Sequence, residues 1–201
     1  MDNKKGLPKR KDLRLKQYDY SSKGAYFVTM CTKDRAKILS DITKPVGVGA
    51  LDDPKTNGLD NLSFTDKETV CVGVVGVHDD TQIRLTSIGQ IVERNLLSSE
   101  NISGVKIDRY VIMPNHIHVI IFLDPDKYAN GSSRAPTPTN EMLPHIVSTF
   151  KRFCNKEIGS NIFQRGYIEH IVRDREDYET RVSYIRENPM RWHFDELYTE
   201  E

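Results

Sequence analysis

The sequence has no apolar run long enough to cross a bilayer, which needs about 20 residues, and it contains only three cysteines in 201 residues. Cys31, Cys71 and Cys154 are far apart and form no Cys-x-x-Cys pair, which predicts free thiols and argues against a disulfide framework or a zinc knuckle. The charged N-terminus shows no apolar segment typical of a secretion signal. These absences predict one soluble, cytoplasmic domain with no membrane partner.

The chain also lacks an excess of charge of either sign, yet its charges are unevenly placed. Residues 1–17 carry seven basic and two acidic side chains, whereas residues 41–80 carry eight acids and three lysines. We therefore assign a basic arm to residues 1–20 and an acidic insertion to residues 41–80. A basic arm permits nucleic-acid binding, but such arms are at least as often simply solvated.

Hydrophobic periodicity divides the rest of the chain into strands and helices. Strands are predicted over residues 24–32, 106–113, 116–123 and 167–173, and helices over 85–97, 143–157 and 177–188. Thr86 or Ser87 is expected to cap the first helix, Pro114 and Asn115 form a hairpin turn, and a linker spans residues 124–140. The order of elements predicts an α+β, ferredoxin-like antiparallel sheet with helices on one face. The last helix, in the segment 175–189, is an addition to that core.

Two histidines, His116 and His118, open the third predicted strand. Side chains alternate across a strand, so both imidazoles project to the same face while Ile117 projects to the other. A His-x-His pair alone is weak evidence for a metal, because imidazoles on strands are more often satisfied by hydrogen bonds. On the last helix, Tyr184 and Asn188 are one turn apart and share a face, and a carboxamide oxygen can serve as a third ligand.

Three motifs together resemble those of a known family. They are Tyr110-Val-Ile-Met-Pro-Asn-His-Ile-His118, Phe163-Gln-Arg-Gly-Tyr-Ile-Glu-His-Ile-Val-Arg173 and Tyr184-Ile-Arg-Glu-Asn-Pro189. The chain resembles the HUH-type tyrosine transposases, within them the IS-two-hundred-like group, and most of all the REP-associated tyrosine transposases. Residues 14–20 and 26–29 also resemble the corresponding segments of that group. The resemblance covers nearly the whole chain except the acidic insertion and the linker.

The resemblance implies cleavage and rejoining of single-stranded DNA next to hairpins, through a link between a tyrosine and a 5′ phosphate. By position in the motifs, Tyr184 would be the nucleophile, and His116, His118 and Asn188 would hold a divalent metal. Mg²⁺ or Mn²⁺ suits these ligands better than Zn²⁺, because no cysteine or carboxylate is expected to close a zinc site. Without an acidic ligand, the free protein is expected to hold the metal weakly.

Other residues compete for parts of these roles. Tyr178 precedes Tyr184 by six residues, which places it about 240° away around the helix, and Tyr167 is a further alternative nucleophile. Asp195 is assigned to a solvated, acidic C-terminal tail. Contacts to DNA are expected from a basic set, for each of which a surface or structural role is an alternative: Lys151, Arg152, Arg165, Arg173 and His170.

Three other functions fit parts of the pattern. The first is a domesticated protein that binds hairpin DNA and no longer transposes. The second is an HUH replication initiator or relaxase, although those usually carry helicase or partner domains. The third is a plain metal-binding α+β protein, which leaves the spacing of Tyr184 and Asn188 to coincidence. A monomer and a homodimer both remain open, as does an active site formed within one chain or between two.

Overall fold

The computed structural model of the protein describes residues 23–43, 82–129 and 142–199. The basic arm, most of the acidic insertion and most of the predicted linker lie outside these residues. The strands are β1 (Gly24–Cys31), β2 (Ser40–Thr43), β3 (Gln82–Leu85), β4 (Val105–Ile112), β5 (His116–Leu123) and β6 (Ile168–Val172). The helices are α1 (Ser87–Ser98), α2 (Pro125–Ala129), α3 (Met142–Ile158) and α4 (Arg175–Glu187). The short helix α2 lies within the predicted linker.

Four of the strands form an antiparallel sheet in the order β4-β5-β1-β6. Strand β1 is central, pairing with β5 along its whole length and with β6 from Ala25 to Thr29. Helix α1 connects β1 to β4, and helix α3 connects β5 to β6. This arrangement is the ferredoxin-like α+β fold, so the fold class predicted from the sequence is confirmed.

The two faces of the sheet pack against different helices. Alternation along β1 places Tyr26, Val28 and Met30 on one face, where they form the main core with residues of α1 and α3. Phe27 lies on the opposite face, in a smaller cluster with Ile185 of α4. Helix α4 therefore covers the face of the sheet that the two core helices leave uncovered.

Helix α1 begins with one of the two predicted caps. The Thr86 side chain accepts a hydrogen bond from the Gly89 amide at 3.0 Å, which satisfies one of the free amides of the first turn. A glycine is required at position 89, because a Cβ there would lie 1.9 Å from the Leu39 carbonyl oxygen. The helix thus begins in close contact with the backbone that leads into β2.

The start of the acidic insertion is ordered. Residues 41–43 belong to β2, which pairs with β3 so that Thr43 lies opposite Gln82. Ile42 and Ile83 pack against the smaller cluster on the α4 face, and the Ser40 hydroxyl donates to the Ile112 carbonyl at 2.8 Å. The two ends of the remaining insertion are therefore adjacent across a strand pair.

Replacing residues 44–81 by an Asn-Gly turn should leave the domain folded. The paired positions Thr43 and Gln82 are those that a two-residue hairpin turn joins, and loop length changes closure free energy only slowly. We expect the free energy of unfolding, measured with urea, to change by about 1 kcal/mol or less. Loss of a cooperative transition in the shortened protein would mean that the insertion is part of the fold.

Two of the cysteines lie in the described residues, and both are buried free thiols as predicted, whereas Cys71 lies outside them. No helix in the described ranges is long and apolar enough to span a membrane.

Candidate metal and nucleophile site

His116 and His118 lie side by side on the face of β5 that α4 covers. Their ring centroids are 4.5 Å apart, and both side chains are buried. Ile117 and Val119 point into the core on the other face. The direction that strand alternation predicted for the two imidazoles therefore agrees with the structure.

Each imidazole is oriented by a hydrogen bond at its Nδ1 atom. His118 Nδ1 lies 2.8 Å from the Thr29 hydroxyl on the neighbouring strand, and His116 Nδ1 lies 2.8 Å from the Asn115 side-chain oxygen. An acceptor at Nδ1 of His116 places the proton there and leaves the lone pair on Nε2. Neither Nε2 atom has a hydrogen-bond partner among the described residues. Buried nitrogens of this kind are rarely left unpaired, and a metal would satisfy them.

Burial keeps both histidines neutral. It lowers the pKa of His116 to about 3, with a further contribution from the Arg35 guanidinium, and it lowers the pKa of His118 to about 3. The neighbouring imidazole also lowers the pKa of His118, and the Asp195 carboxylate opposes the shift. Both rings can therefore donate a lone pair to a metal at neutral pH.

Helix α4 brings Tyr184 to the histidines. The Asp174 side chain caps this helix by accepting from the Asp177 amide at 2.9 Å. The Tyr184 ring lies 5.1 Å from the His118 ring and 5.9 Å from the Phe27 ring, measured between centroids, and 43% of the residue remains exposed. Burial raises the pKa of Tyr184, the Asp195 carboxylate adds to the shift, and a hydrogen bond to Asn188 opposes it.

Asn188 lies one turn further along, at the end of α4, as helical spacing predicted. Its side chain is buried, and its Oδ1 atom has no hydrogen-bond partner within the described part of the chain. Its Nδ2 atom donates to the Asp195 carboxylate at 2.9 Å. The structure thus brings together all four residues that the motifs single out: His116, His118, Tyr184 and Asn188.

Asp195 lies beside the two histidines, so the prediction that no carboxylate is present at this site is wrong. Its side chain is 2% exposed, and its Oδ2 atom lies 3.9 Å from His116 Nε2. One ligand atom from each of His116, His118 and Asp195 lies within 4.8 Å of the other two. The Leu197 amide donates to Asp195 Oδ1 at 2.6 Å and fixes the carboxylate in place. Asp195 is therefore part of the site and not of a solvated tail.

The surrounding groups fit a divalent metal. Two imidazole nitrogens, a carboxylate and an amide oxygen are the mixed ligands that Mn²⁺ accepts, while Mg²⁺ prefers the oxygen ligands of such a set. The carboxylate also balances one positive charge in a buried place. The expectation that the free protein binds the metal only weakly therefore loses its main argument, which was the lack of an acidic ligand.

Replacing Asp195 by Asn should weaken Mn²⁺ binding about 10- to 100-fold, because the shape is kept and the negative charge is lost. Binding can be measured by calorimetry or by the electron paramagnetic resonance signal of free Mn²⁺. The control is Glu196→Gln, which removes the neighbouring acid and should change the affinity less than about twofold. Equal affinities for Asp195→Asn and the unaltered protein would exclude Asp195 as a ligand.

The basic residues expected to contact DNA lie apart from this site or are engaged elsewhere. Lys151 is buried, and its ammonium donates to the carbonyls of Gln164 and Gly166 at 2.9 and 2.7 Å. Burial lowers its pKa to about 8. Arg152, next to it on α3, stacks on Phe153. Helix α3 packs on the face of the sheet opposite to the histidines. DNA contacts by these two residues remain predictions, and Lys151 has a structural role.

The remaining candidates lie near β6. His170 Nε2 is 2.7 Å from the Asp177 carboxylate, a hydrogen bond that ties β6 to α4, and Arg173 and Arg165 are exposed. The Asp177 carboxylate also binds Arg181, whose guanidinium lies 5.7 Å from the Phe27 ring. Sequence analysis did not single out Arg181, which lowers the pKa of Tyr184 by its charge. Its position one turn before Tyr184 is the signal that could have identified it.

The alternative nucleophile Tyr178 is engaged elsewhere. Its hydroxyl donates to the Asp108 carboxylate at 2.6 Å, and this hydrogen bond is the main reason that its pKa is raised. Tyr178 packs near Phe122, four residues beyond His118 on β5. The geometry therefore favours Tyr184.

Sequence comparisons relate the chain to named proteins. No protein-family model matches it. An uncharacterized protein of Haemophilus influenzae is 28% identical over 215 residues, which cover 97% of this chain and 96% of that protein. A candidate REP-associated tyrosine transposase of the same organism is 32% identical over 88 residues, or 43% of this chain and 50% of that protein. A REP-associated tyrosine transposase of Escherichia coli is 28% identical over 107 residues, or 53% and 58%.

Two solved structures align with most of this chain at low TM-scores. One is a REP-associated tyrosine transposase bound to a REP hairpin, with a TM-score of 0.48 and 16% identity over 86% of this chain and 70% of that one. The other is a candidate transposase from Deinococcus radiodurans, with a TM-score of 0.39 and 12% identity over 88% and 96%.

The named relatives confirm the family that the motifs indicated, although their matches span only about half of each protein. In sequence the chain is similar to the REP-associated tyrosine transposases, and it spans about half the length of the named relatives that it matches.

Proposed function

We propose that this protein is a metal-dependent transposase that cuts and rejoins single-stranded DNA next to hairpins, through a covalent bond to Tyr184. The observation that carries the proposal is the contact between Tyr184 and His118, whose ring centroids are 5.1 Å apart, beside buried imidazole nitrogens without a hydrogen-bond partner among the described residues. The hairpin substrate follows from the resemblance of the motifs. Action on cellular DNA would place the protein in the cytoplasm.

His116, His118, Asp195 and Asn188 would hold the metal. Thr29 and Asn115 keep the two Nε2 atoms directed into the site, and Leu197 keeps the carboxylate there. A bound Mg²⁺ or Mn²⁺ would supply positive charge to the non-bridging oxygens of a phosphate and oppose the raised pKa of the nearby phenol.

Tyr184 would act as the nucleophile. Its oxygen loses its proton and forms a bond to phosphorus, while the bond from phosphorus to the 3′ oxygen of the preceding nucleotide breaks and that oxygen takes up a proton. The product is a 5′ phosphotyrosine and a free 3′ hydroxyl. Because one phosphodiester replaces another, a 3′ hydroxyl of the same or another strand can reverse the step, which joins DNA without ATP.

The direct test is to incubate the protein with labelled hairpin DNA from the flanks of its own gene, with Mn²⁺ or Mg²⁺. A denaturing gel shows any covalent adduct, and mass spectrometry maps the attached peptide. We expect a peptide that contains Tyr184, and no adduct in the presence of EDTA. Tight binding without an adduct would favour a domesticated hairpin-binding protein. Absence of both binding and adduct would overturn the proposal and favour a plain metal-binding fold.

A further inference from the structure

A cleft of about 270 Å³ opens directly beside the proposed site. Tyr184, Asn188 and Asp195 line it, so it is continuous with the groups that would hold and attack the phosphate. Phe194 and Arg191 also line it. A cleft of this size accommodates a small group such as one nucleotide and is too small for a duplex.

Phe194, which lines this cleft, is unusually exposed for an aromatic residue. The residue is 89% exposed, whereas Trp192, two positions earlier, is buried in the cluster under α4. Leaving a phenylalanine in water forgoes about 2 kcal/mol of burial, and the exposed ring is available to stack on a ligand.

Phe194 lies in a turn that is held by backbone hydrogen bonds. The Phe194 amide donates to the Arg191 carbonyl at 2.8 Å, and the Asp195 amide donates to the Trp192 carbonyl at 3.2 Å. The Arg191 amide in turn donates to the Glu187 carbonyl at the end of α4. The turn is therefore fixed to the helix that carries Tyr184, and the backbone of Phe194 is held close to the nucleophile.

The charges around the cleft indicate which part of a nucleotide enters it. Glu187 and Glu196 both line the cleft, and the Arg191 guanidinium is already paired with Glu187 at 3.0 Å. Carboxylates at the rim repel a second phosphate, but they do not repel a neutral base. An exposed aromatic ring offers a base a stacking surface regardless of its sequence.

We propose that Phe194 and this cleft form a subsite for one unpaired nucleobase, adjacent to the phosphate that Tyr184 attacks. The inference rests on the proposed function and deepens it, because it names a contact that holds the DNA strand next to the nucleophile. Stacking places the neighbouring nucleotide in a single orientation, and this positions the scissile bond.

The test combines a protein change with a DNA change, and all proteins carry Tyr184→Phe so that the DNA stays intact. Labelled hairpin DNA from the gene flanks is prepared with a single abasic residue at each position of its single-stranded part in turn. With Phe194 present, one abasic position should weaken binding about 5- to 150-fold, measured by fluorescence anisotropy. Phe194→Ala should weaken binding of intact DNA by the same factor and make that abasic position neutral.

Three controls separate stacking from other effects. Phe194→Tyr should bind as the parent does, and the salt dependence of binding should not change in Phe194→Ala, since no phosphate contact is lost. Phe153→Ala removes another exposed aromatic residue, on α3, and should have no effect. If the loss of binding in Phe194→Ala adds to the loss caused by every abasic position, the subsite is overturned. An adduct on Tyr184 in the direct test would still support the nuclease. Failure of the unaltered protein to bind this DNA would overturn both.

Discussion

Replacing Tyr184 by Phe should abolish the covalent DNA adduct, with a loss on the order of 1000-fold or more. The change removes one oxygen atom and keeps the ring that packs on His118 and Phe27, so the fold and the metal site should survive. Binding of hairpin DNA and of Mn²⁺ should therefore stay close to that of the unaltered protein. The measurements are adduct formation on a denaturing gel and both affinities at the same salt concentration.

Tyr178→Phe is the matched control on the same helix. It removes the hydrogen bond to Asp108, which contributes about 1 kcal/mol to stability, and it leaves the proposed nucleophile untouched. We expect a small loss of stability and an undiminished adduct. An adduct that survives in Tyr184→Phe and disappears in Tyr178→Phe would reverse the assignment.

The metal-free protein should lose stability steeply in mild acid. Both site histidines have a pKa of about 3 in the folded protein, far below their ordinary value of 6.5, chiefly because they are buried. As the pH falls below 6.5 the unfolded chain takes up a proton on each imidazole and the folded protein does not. Burying the two neutral imidazoles therefore costs no stability above that pH, and it lowers the free energy of unfolding increasingly below it.

The expected slope is about 1.4 kcal/mol per pH unit for each imidazole. For two of them it amounts to about 5 kcal/mol between pH 6.5 and 4.5, comparable to the whole stability of many domains. Urea unfolding in EDTA at several pH values measures this. The double change His116→Gln and His118→Gln should flatten the dependence, and the exposed His145→Gln should not. A stability that rises with acid would mean that Asp195 binds an imidazolium ion in the folded state.

Local periodicity was sufficient to predict the central part of the site. Alternation along β5 gave the common face of the two histidines, and the helical repeat gave the common face of Tyr184 and Asn188. The order of strands and helices then predicted the sheet, because few topologies accommodate that order with short connections. These are properties of neighbouring residues, and they are visible in any single sequence.

The positions of Asp195 and Lys151 depend on contacts between distant segments, which local sequence patterns do not reveal. The turn that brings Asp195 inward follows Pro189, and it is held by the side-chain Nδ2 of Asn115, which donates to the Leu197 carbonyl 82 residues away. Lys151 lies on a helix with other basic residues, yet its ammonium points to carbonyls of the loop before β6. The pairing of β2 with β3 was missed for a similar reason, since a long insertion separates the two strands.

The histidines, the tyrosine and the acidic residue that surround the candidate metal position all come from one chain. An active site shared between two weakly associating copies would form in proportion to the square of the protein concentration. The rate of DNA cleavage would then fall with the square of the dilution. Under the proposed function, a site complete within one molecule would follow the first power instead, so each molecule would be competent by itself.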